Sequence, residues 1–150
     1  VTTIMKSLTK SILINAPLEK IWGLMADTSR TPEWVDGVRE SERTGERREG
    51  KGFRWRESSI LKNQNIDMEH EFTEWDPMTS ARIKTSLPMN GWMDRVLKFT
   101  PGSDGVQVKI DAQWDLGIAG MLLGEQKVFE VLQTSFEQTL LNWKEMVEKP

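Results

Sequence analysis

Val106, Val108, Ile110, Ala112 and Trp114 alternate with Gln107, Lys109, Asp111, Gln113 and Asp115, a period of two that predicts a strand with one dry and one wet face. Ile66, Met68, His70 and Phe72 alternate in the same way with Asp67, Glu69, Glu71 and Thr73, and Ala81, Ile83, Thr85 and Leu87 with Arg82, Lys84 and Ser86. Turn chemistry divides the runs at Gly45 to Gly52, Lys62-Asn63-Gln64-Asn65, Asp76-Pro77, Pro88-Met89-Asn90-Gly91 and Pro101-Gly102-Ser103-Asp104-Gly105. From Val38 to Leu116 this punctuation predicts an antiparallel meander of six strands in a strongly curved sheet. Upstream, Ile12 and Ile14 alternate with Ser11 and Leu13, and this first strand stops at Asn15-Ala16-Pro17. Leu18, Ile21, Trp22 and Met25 then fall on one face of a short helix, and Thr31-Pro32-Glu33-Trp34 suggests a second, with Thr31 as cap and Pro32 in the first position.

From about Leu116 to Lys149 the period changes again. Leu122, Phe129, Leu132, Phe136, Leu140, Trp143 and Val147 recur at three, four or seven residues, the pattern of one long amphipathic helix lying against the sheet. Gly117, Gly120 and Gly124 predict a frayed or bent start to it.

The length of 150 residues fits one domain spanning 1–150, with residues 1–4 an extension given no structural weight. A formal net charge of −3 disfavours nucleic acid as a partner. The chain has no cysteine, no tyrosine and a single histidine, which closes off thiolate sites, disulfides, tyrosine acids and imidazole pairs. The longest apolar run, Ile118 to Leu123, is far short of a membrane span, and the first ten residues contain no signal-like apolar segment. The expectation is a cytoplasmic protein, monomer or homodimer, with no transmembrane segment. Between Arg39 and Arg56 seven basic residues are interleaved with Phe53 and Trp55, but also with four acidic ones, so a solvated hairpin is preferred over a single-strand nucleic-acid groove. Gly50-Lys-Gly52 lacks the third glycine of a dinucleotide fingerprint, and neither a P-loop nor a nucleophile elbow occurs. No cofactor is implied.

His70 shares its strand face with Ile66, Met68 and Phe72 and is expected to point inward, as a satisfied core histidine, a ligand hydrogen-bonder or an acid/base. A metal reading of Glu69-His70-Glu71 fails because adjacent strand residues face opposite ways, so no metal site is assigned. Phe53, Trp55 and Glu57 share a face between Arg54 and Arg56. Leu97 and Phe99 place Met93 and Arg95 on theirs, against a competing register of Trp92, Asp94 and Val96. In the first register Glu57 and Arg95 are inward charges. They then pair with each other, His70, water or a ligand's polar group, or else lie at an open rim and are solvated.

The opening Ser11-Ile-Leu-Ile-Asn-Ala-Pro17, Glu19-Lys-Ile-Trp22, Ala26-Asp27 and Pro32-Glu33-Trp34, followed by Gly50-Lys-Gly52-Phe53, Thr73-Glu74-Trp75-Asp76-Pro77 and Trp143-Lys-Glu-Met-Val-Glu148, resembles the polyketide cyclase/dehydrase-like branch of the START-like, Bet v 1-like (SRPBCC) superfamily. The resemblance runs from about Met5 to Glu148. It implies an α+β helix-grip fold of order β-α-α-β6-α, a curved antiparallel sheet wrapped around a long C-terminal helix with a cavity between them. A small hydrophobic molecule, lipid-like or aromatic and polyketide-like, is the implied partner of a carrier or sensor. The competing readings are a cyclase, aromatase or dehydratase using His70, Glu57 or Arg95 in the same cavity, and an Hsp90-activator-like interaction module. The expected ligand contacts are Trp34, Phe53, Trp55, Met68, His70, Phe72, Ile83, Leu97, Ile110, Trp114, Leu132 and Phe136, with Trp34 at the mouth. Seven Trp, five Phe and eight Met are also bulky enough to fill the space themselves.

Overall fold

A computed structural model describes residues 6–61 and 63–150. Residues 1–5 and Lys62, in one of the predicted turns, lie outside the described residues. The first strand, β1 (Ser7–Ile14), is followed by α1 (Leu18–Ala26), a 3-10 turn at Thr28–Arg30 and the single helical turn α2 (Thr31–Trp34). The meander comprises β2 (Val38–Thr44), β3 (Arg54–Leu61), β4 (Gln64–Asp76), β5 (Ser80–Ser86), β6 (Trp92–Gly102) and β7 (Gly105–Asp115). It joins β1 in one antiparallel seven-stranded sheet of order β1-β7-β6-β5-β4-β3-β2. Each meander strand pairs with its chain neighbour, and β1 closes the sheet against β7, so only β1 is paired out of sequence order.

The predicted alternation holds along the strands. Leu8 and Ile14 of β1, Phe72 of β4, Ala81, Ile83 and Thr85 of β5, and Val106 through Trp114 at every second position of β7 are all buried. In β6 the first register is the observed one: Met93, Leu97 and Phe99 are buried while Trp92 is 41% exposed. A bulge between Phe72 and Glu74 shifts the end of β4, so that Trp75, opposite Ala81, packs on the core side. Pro101 is accommodated in β6 because the β5 pairing has already ended at Lys98.

Thr31 does not cap α2. It is the first residue of that turn, after Arg30, and its buried hydroxyl has no partner. The predicted C-terminal helix is divided into α3 (Ile118–Leu123) and α4 (Glu125–Glu148) by Gly124, at φ 87°. That left-handed conformation is readily adopted by glycine and turns α3 out of line with α4. Leu122, expected on the buried face, is therefore 79% exposed, and Ile118, Met121 and Leu123 are exposed with it. From Leu132 onward the helical pattern is as expected, with Leu132, Phe136, Leu140, Trp143 and Val147 buried; before it, Val128 is buried in place of the expected Phe129, which is half-buried. At its C-terminal end α4 is tied to β1, where Glu148 accepts from the Asn15 N–H at 2.8 Å and Lys144 donates to the Leu13 carbonyl at 2.9 Å. Among the described residues, no helix is long and apolar enough to cross a membrane.

Candidate functional site

The concave face of the sheet has two unlike ends. At one, aromatic side chains are packed in a continuous string. Trp34 lies against Trp143 (ring centroids 4.7 Å apart), Trp143 against Phe99 (5.8 Å), Phe99 against Trp22 (5.1 Å), and Trp22 against Trp75 (4.9 Å). Trp75 meets Phe72 (4.7 Å), Phe72 meets Trp55 (4.7 Å), and Trp55 stacks on His70 (4.9 Å). Such edge-to-face and tilted contacts fill volume at interior density. Trp34 belongs to this packed core and not to a mouth, a correction to the sequence expectation. Its neighbour Trp143 is wholly buried and donates from Nε1 to the Ile21 carbonyl at 3.2 Å.

At the other end lie the start of β4, the end of β5, the start of β6, the end of β7 and the first turns of α4. Here Ile66, Met68, Leu87, Arg95, Leu116 and Phe129 keep part of their surface accessible. Phe129 approaches Trp114 at 6.4 Å, apart from the aromatic string. A groove of about 370 Å³ opens here, lined by Lys6, Trp114, Asp115, Leu116, Gly117, Gly120, Met121, Gly124, Glu125 and Val128. Of the predicted ligand contacts it touches only Trp114. Phe53, Trp55, His70, Phe72, Ile83, Leu97, Ile110, Leu132 and Phe136 are buried in the core, and Met68 is half-buried.

The string ends at a cluster of polar residues. Strand pairing sets Trp55 of β3, His70 of β4, Thr85 of β5 and Met93 of β6 in one row across the sheet. Glu57 is two residues along β3, and Arg95 two along β6, so both share the inward face with that row. Glu57, His70 and Thr85 are 5%, 4% and 2% exposed. The Glu57 carboxylate accepts from His70 Nε2 at 2.9 Å through one oxygen and from Trp55 Nε1 at 2.9 Å through the other. Nε2 is thereby the protonated ring nitrogen, and Nδ1 is left to accept. It lies 2.6 Å from the Thr85 hydroxyl and 3.3 Å from Arg95 Nη2, which also donates to Thr85 Oγ1 at 3.2 Å.

Burial pushes the Glu57 carboxyl up, but the His70 and Trp55 hydrogen bonds and the positive charge nearby outweigh it and hold the group down at about 2. Burial, reinforced by the Arg95 charge, holds the His70 imidazole below its ordinary value against the opposing pull of Glu57. Around neutrality the cluster consists of a carboxylate, a neutral imidazole and a guanidinium. The inward charges of the sequence reading are therefore present and are joined through His70 rather than in direct contact. Thr85 was not singled out as a site residue, although it shares the dry face of β5 with Ala81 and Ile83; its inward parity was the available signal. Among the described residues, the buried side-chain polar atoms without partners are Arg95 Nε, Ser59 Oγ, Trp34 Nε1 and Thr31 Oγ1.

The family whose sequence pattern this chain matches is described as polyketide cyclase / dehydrase and lipid transport, over residues 5–148. No curated protein sequence matches it. Among solved structures, the aromatase/cyclase Zhui from Streptomyces sp. R1128 is similar at a TM-score of 0.80 with 13% identity, covering 95% of this chain and 93% of its own. A conserved protein from Geobacillus kaustophilus is similar at 0.78 with 15% identity, covering 94% of each chain. A START superfamily protein from Mycobacterium smegmatis is similar at 0.75 with 15% identity, covering 95% of this chain and 97% of its own. At these identities the likeness is one of fold.

Proposed function

Since this chain belongs to the polyketide cyclase / dehydrase and lipid transport family, we propose that it binds a small hydrophobic molecule within the concave face, as a carrier or sensor. The observation that supports this reading is the asymmetry of that face. One end is packed solid by aromatic rings, whereas inward residues at the other retain accessible surface beside a groove of about 370 Å³ that combines Trp114, Leu116, Met121 and Val128 with the charged Lys6, Asp115 and Glu125, a volume within the range of small-molecule sites. The buried cluster between the two ends supplies the few polar groups by which such sites fix orientation. Trp114 lines the groove and Trp55 donates to Glu57 of the cluster, so ligand entry should change tryptophan emission. Titration with a panel of apolar molecules tests the reading. A saturable response is expected, and no response across the panel overturns it. Native mass spectrometry of the protein from its own cells would identify a retained ligand by mass.

Proton transfer on a held substrate is the second reading, favoured by the Glu57–His70 hydrogen bond, in which a carboxylate orients an imidazole. It requires Nδ1 to exchange its Thr85 partner for substrate. Turnover of an offered polyketone that survives His70→Ala undiminished would eliminate His70 from such chemistry.

A further inference from the structure

Within the buried cluster Arg95 is the member whose bonding is incomplete. Both Glu57 oxygens accept an N–H, and both His70 nitrogens are engaged. Arg95 meets only the neutral acceptors His70 Nδ1 and Thr85 Oγ1, and its Nε is enclosed without a partner. No carboxylate of the described residues forms an ion pair with it. Glu57 is separated from it by the His70 ring, and Asp94, its neighbour in sequence, points to the convex face, where Arg82 Nε donates to it at 3.1 Å. The guanidinium is partly withdrawn from water, with its Nε enclosed and no contacting anion, an unfavourable arrangement for which a bidentate oxyanion is the best-fitting partner. Opposite Arg95 on β7 stands Ala112, whose small side chain offers it no polar partner.

We propose that the molecule bound in the concave interior carries a carboxylate that pairs with Arg95, with its apolar body extending toward Met93, Trp114 and Phe129. This assignment rests on the binding reading above and adds the chemical class of the ligand: an acid with a hydrophobic body. It also has a consequence in charge. Glu57 and Arg95 already balance, so the incoming carboxylate leaves the cluster one negative charge in excess. The charged groups facing His70 are Glu57 from β3 and Arg95 from β6, while Trp55 and Thr85 are neutral. Once the carboxylate offsets Arg95, the charge of Glu57 is no longer opposed by a neighbouring cation and draws His70 toward the imidazolium against the burial that disfavours it. His70 then takes a proton from solvent at Nδ1 and donates it to Thr85 Oγ1, whose own hydroxyl proton turns toward the ligand carboxylate.

The test pairs each acid with its neutral isostere: dodecanoate with dodecanamide, and 2-naphthoate with 2-naphthamide, titrated by tryptophan emission at pH 7.5. In the wild type each acid binds at least about tenfold more tightly than its amide, and in Arg95→Met the acid loses that advantage and the two bind within about twofold of each other. Arg95→Gln, which keeps donors without the charge, serves if Arg95→Met does not fold. Calorimetry in phosphate and in Tris reads proton uptake, expected with the acids and absent with the amides. Amides binding as tightly as acids, or a preference that survives loss of Arg95, overturns the assignment while leaving the binding reading intact. Acid preference without proton uptake overturns the role of His70. Failure of all four probes overturns the binding reading itself.

Discussion

Replacing Glu57 by glutamine tests whether the buried cluster is bonded as described. Both neighbours of the carboxylate, Trp55 Nε1 and His70 Nε2, donate to it at 2.9 Å. An amide offers one acceptor oxygen and one NH₂ group, so one of the two donors must face another donor or His70 must change tautomer. The magnitude follows from linkage. A carboxyl held at about 2 in the folded chain against an ordinary 4.5 contributes about 3 kcal/mol at pH 7. Because the folded value is depressed, that contribution is complete above the unfolded value and declines as the pH falls from about 4.5 toward 2. Glutamine mimics the protonated acid and lacks the contribution at every pH. Urea unfolding should therefore find Glu57→Gln about 3 kcal/mol less stable at pH 7, with the gap narrowing as the pH falls below about 4.5. His70, held below its ordinary value by burial, makes both proteins lose stability as the unfolded chain takes its proton below about pH 6.5. The diagnostic is accordingly the gap between the proteins below pH 4.5. A gap under about 1 kcal/mol at pH 7, or one unchanged between pH 6 and pH 3, would refute the bonding scheme.

Three further substitutions probe the frame that holds the site. Trp143→Ala removes a fully buried ring and its bond to the Ile21 carbonyl, and should lower the unfolding free energy by about 3–5 kcal/mol in urea. Gly117→Ala forces a side chain onto φ 60° with its Cβ 2.8 Å from the Met89 carbonyl oxygen; a loss above about 1 kcal/mol is expected, and an unchanged melting temperature would contradict the close approach of Gly117 to the β5–β6 turn. Leu122→Ser should leave stability within about 0.5 kcal/mol of wild type, because the side chain lies in solvent. A loss of 2 kcal/mol or more, of the order expected for deleting a buried leucine, would instead return Leu122 to the core.

Most of the fold could be read from residue spacing because the strands obey the period of two over long stretches. The β7 alternation, the inward His70, and the pairing of Met93 and Arg95 with Leu97 and Phe99 all follow from unbroken parity. Where parity is broken by backbone geometry, spacing carries no signal. The bulge after Phe72 brings Trp75 to the core side beside Phe72, two inward positions separated by three residues in sequence. Gly124 has the same character. A glycine within an apolar period reads as a modest local cost, but at φ 87° it separates two helices and exposes Leu122. Thr85 differs again: threonine is a common strand residue, and only the β4–β5 register, which sets it directly opposite His70, makes its hydroxyl a partner of the imidazole.

The polar cluster is hard to explain as a device for stability. Its internal bonds satisfy Glu57, His70 and Thr85 but leave Arg95 Nε without a partner, and buried charges joined in this way can often be replaced by apolar side chains without loss. The aromatic string that ends at Trp55 shows that this chain can fill its concave face with rings up to the edge of the cluster. Phe53, Trp55 and Phe72 stand next to the polar residues on the same strands. Close packing therefore extends as far as the row containing His70; Glu57 stands one row beyond it, opposite half-buried Met68, while Arg95, based in the row of Phe72 and Ile83, brings its guanidinium to His70 Nδ1 at that same boundary. That coincidence ties the unfinished bonding of Arg95 to the unfilled end of the sheet. A stability role for the cluster would place its unsatisfied donor anywhere along the concave face, whereas a binding role requires it beside open space, where Met68, Phe129 and Arg95 retain exposed surface.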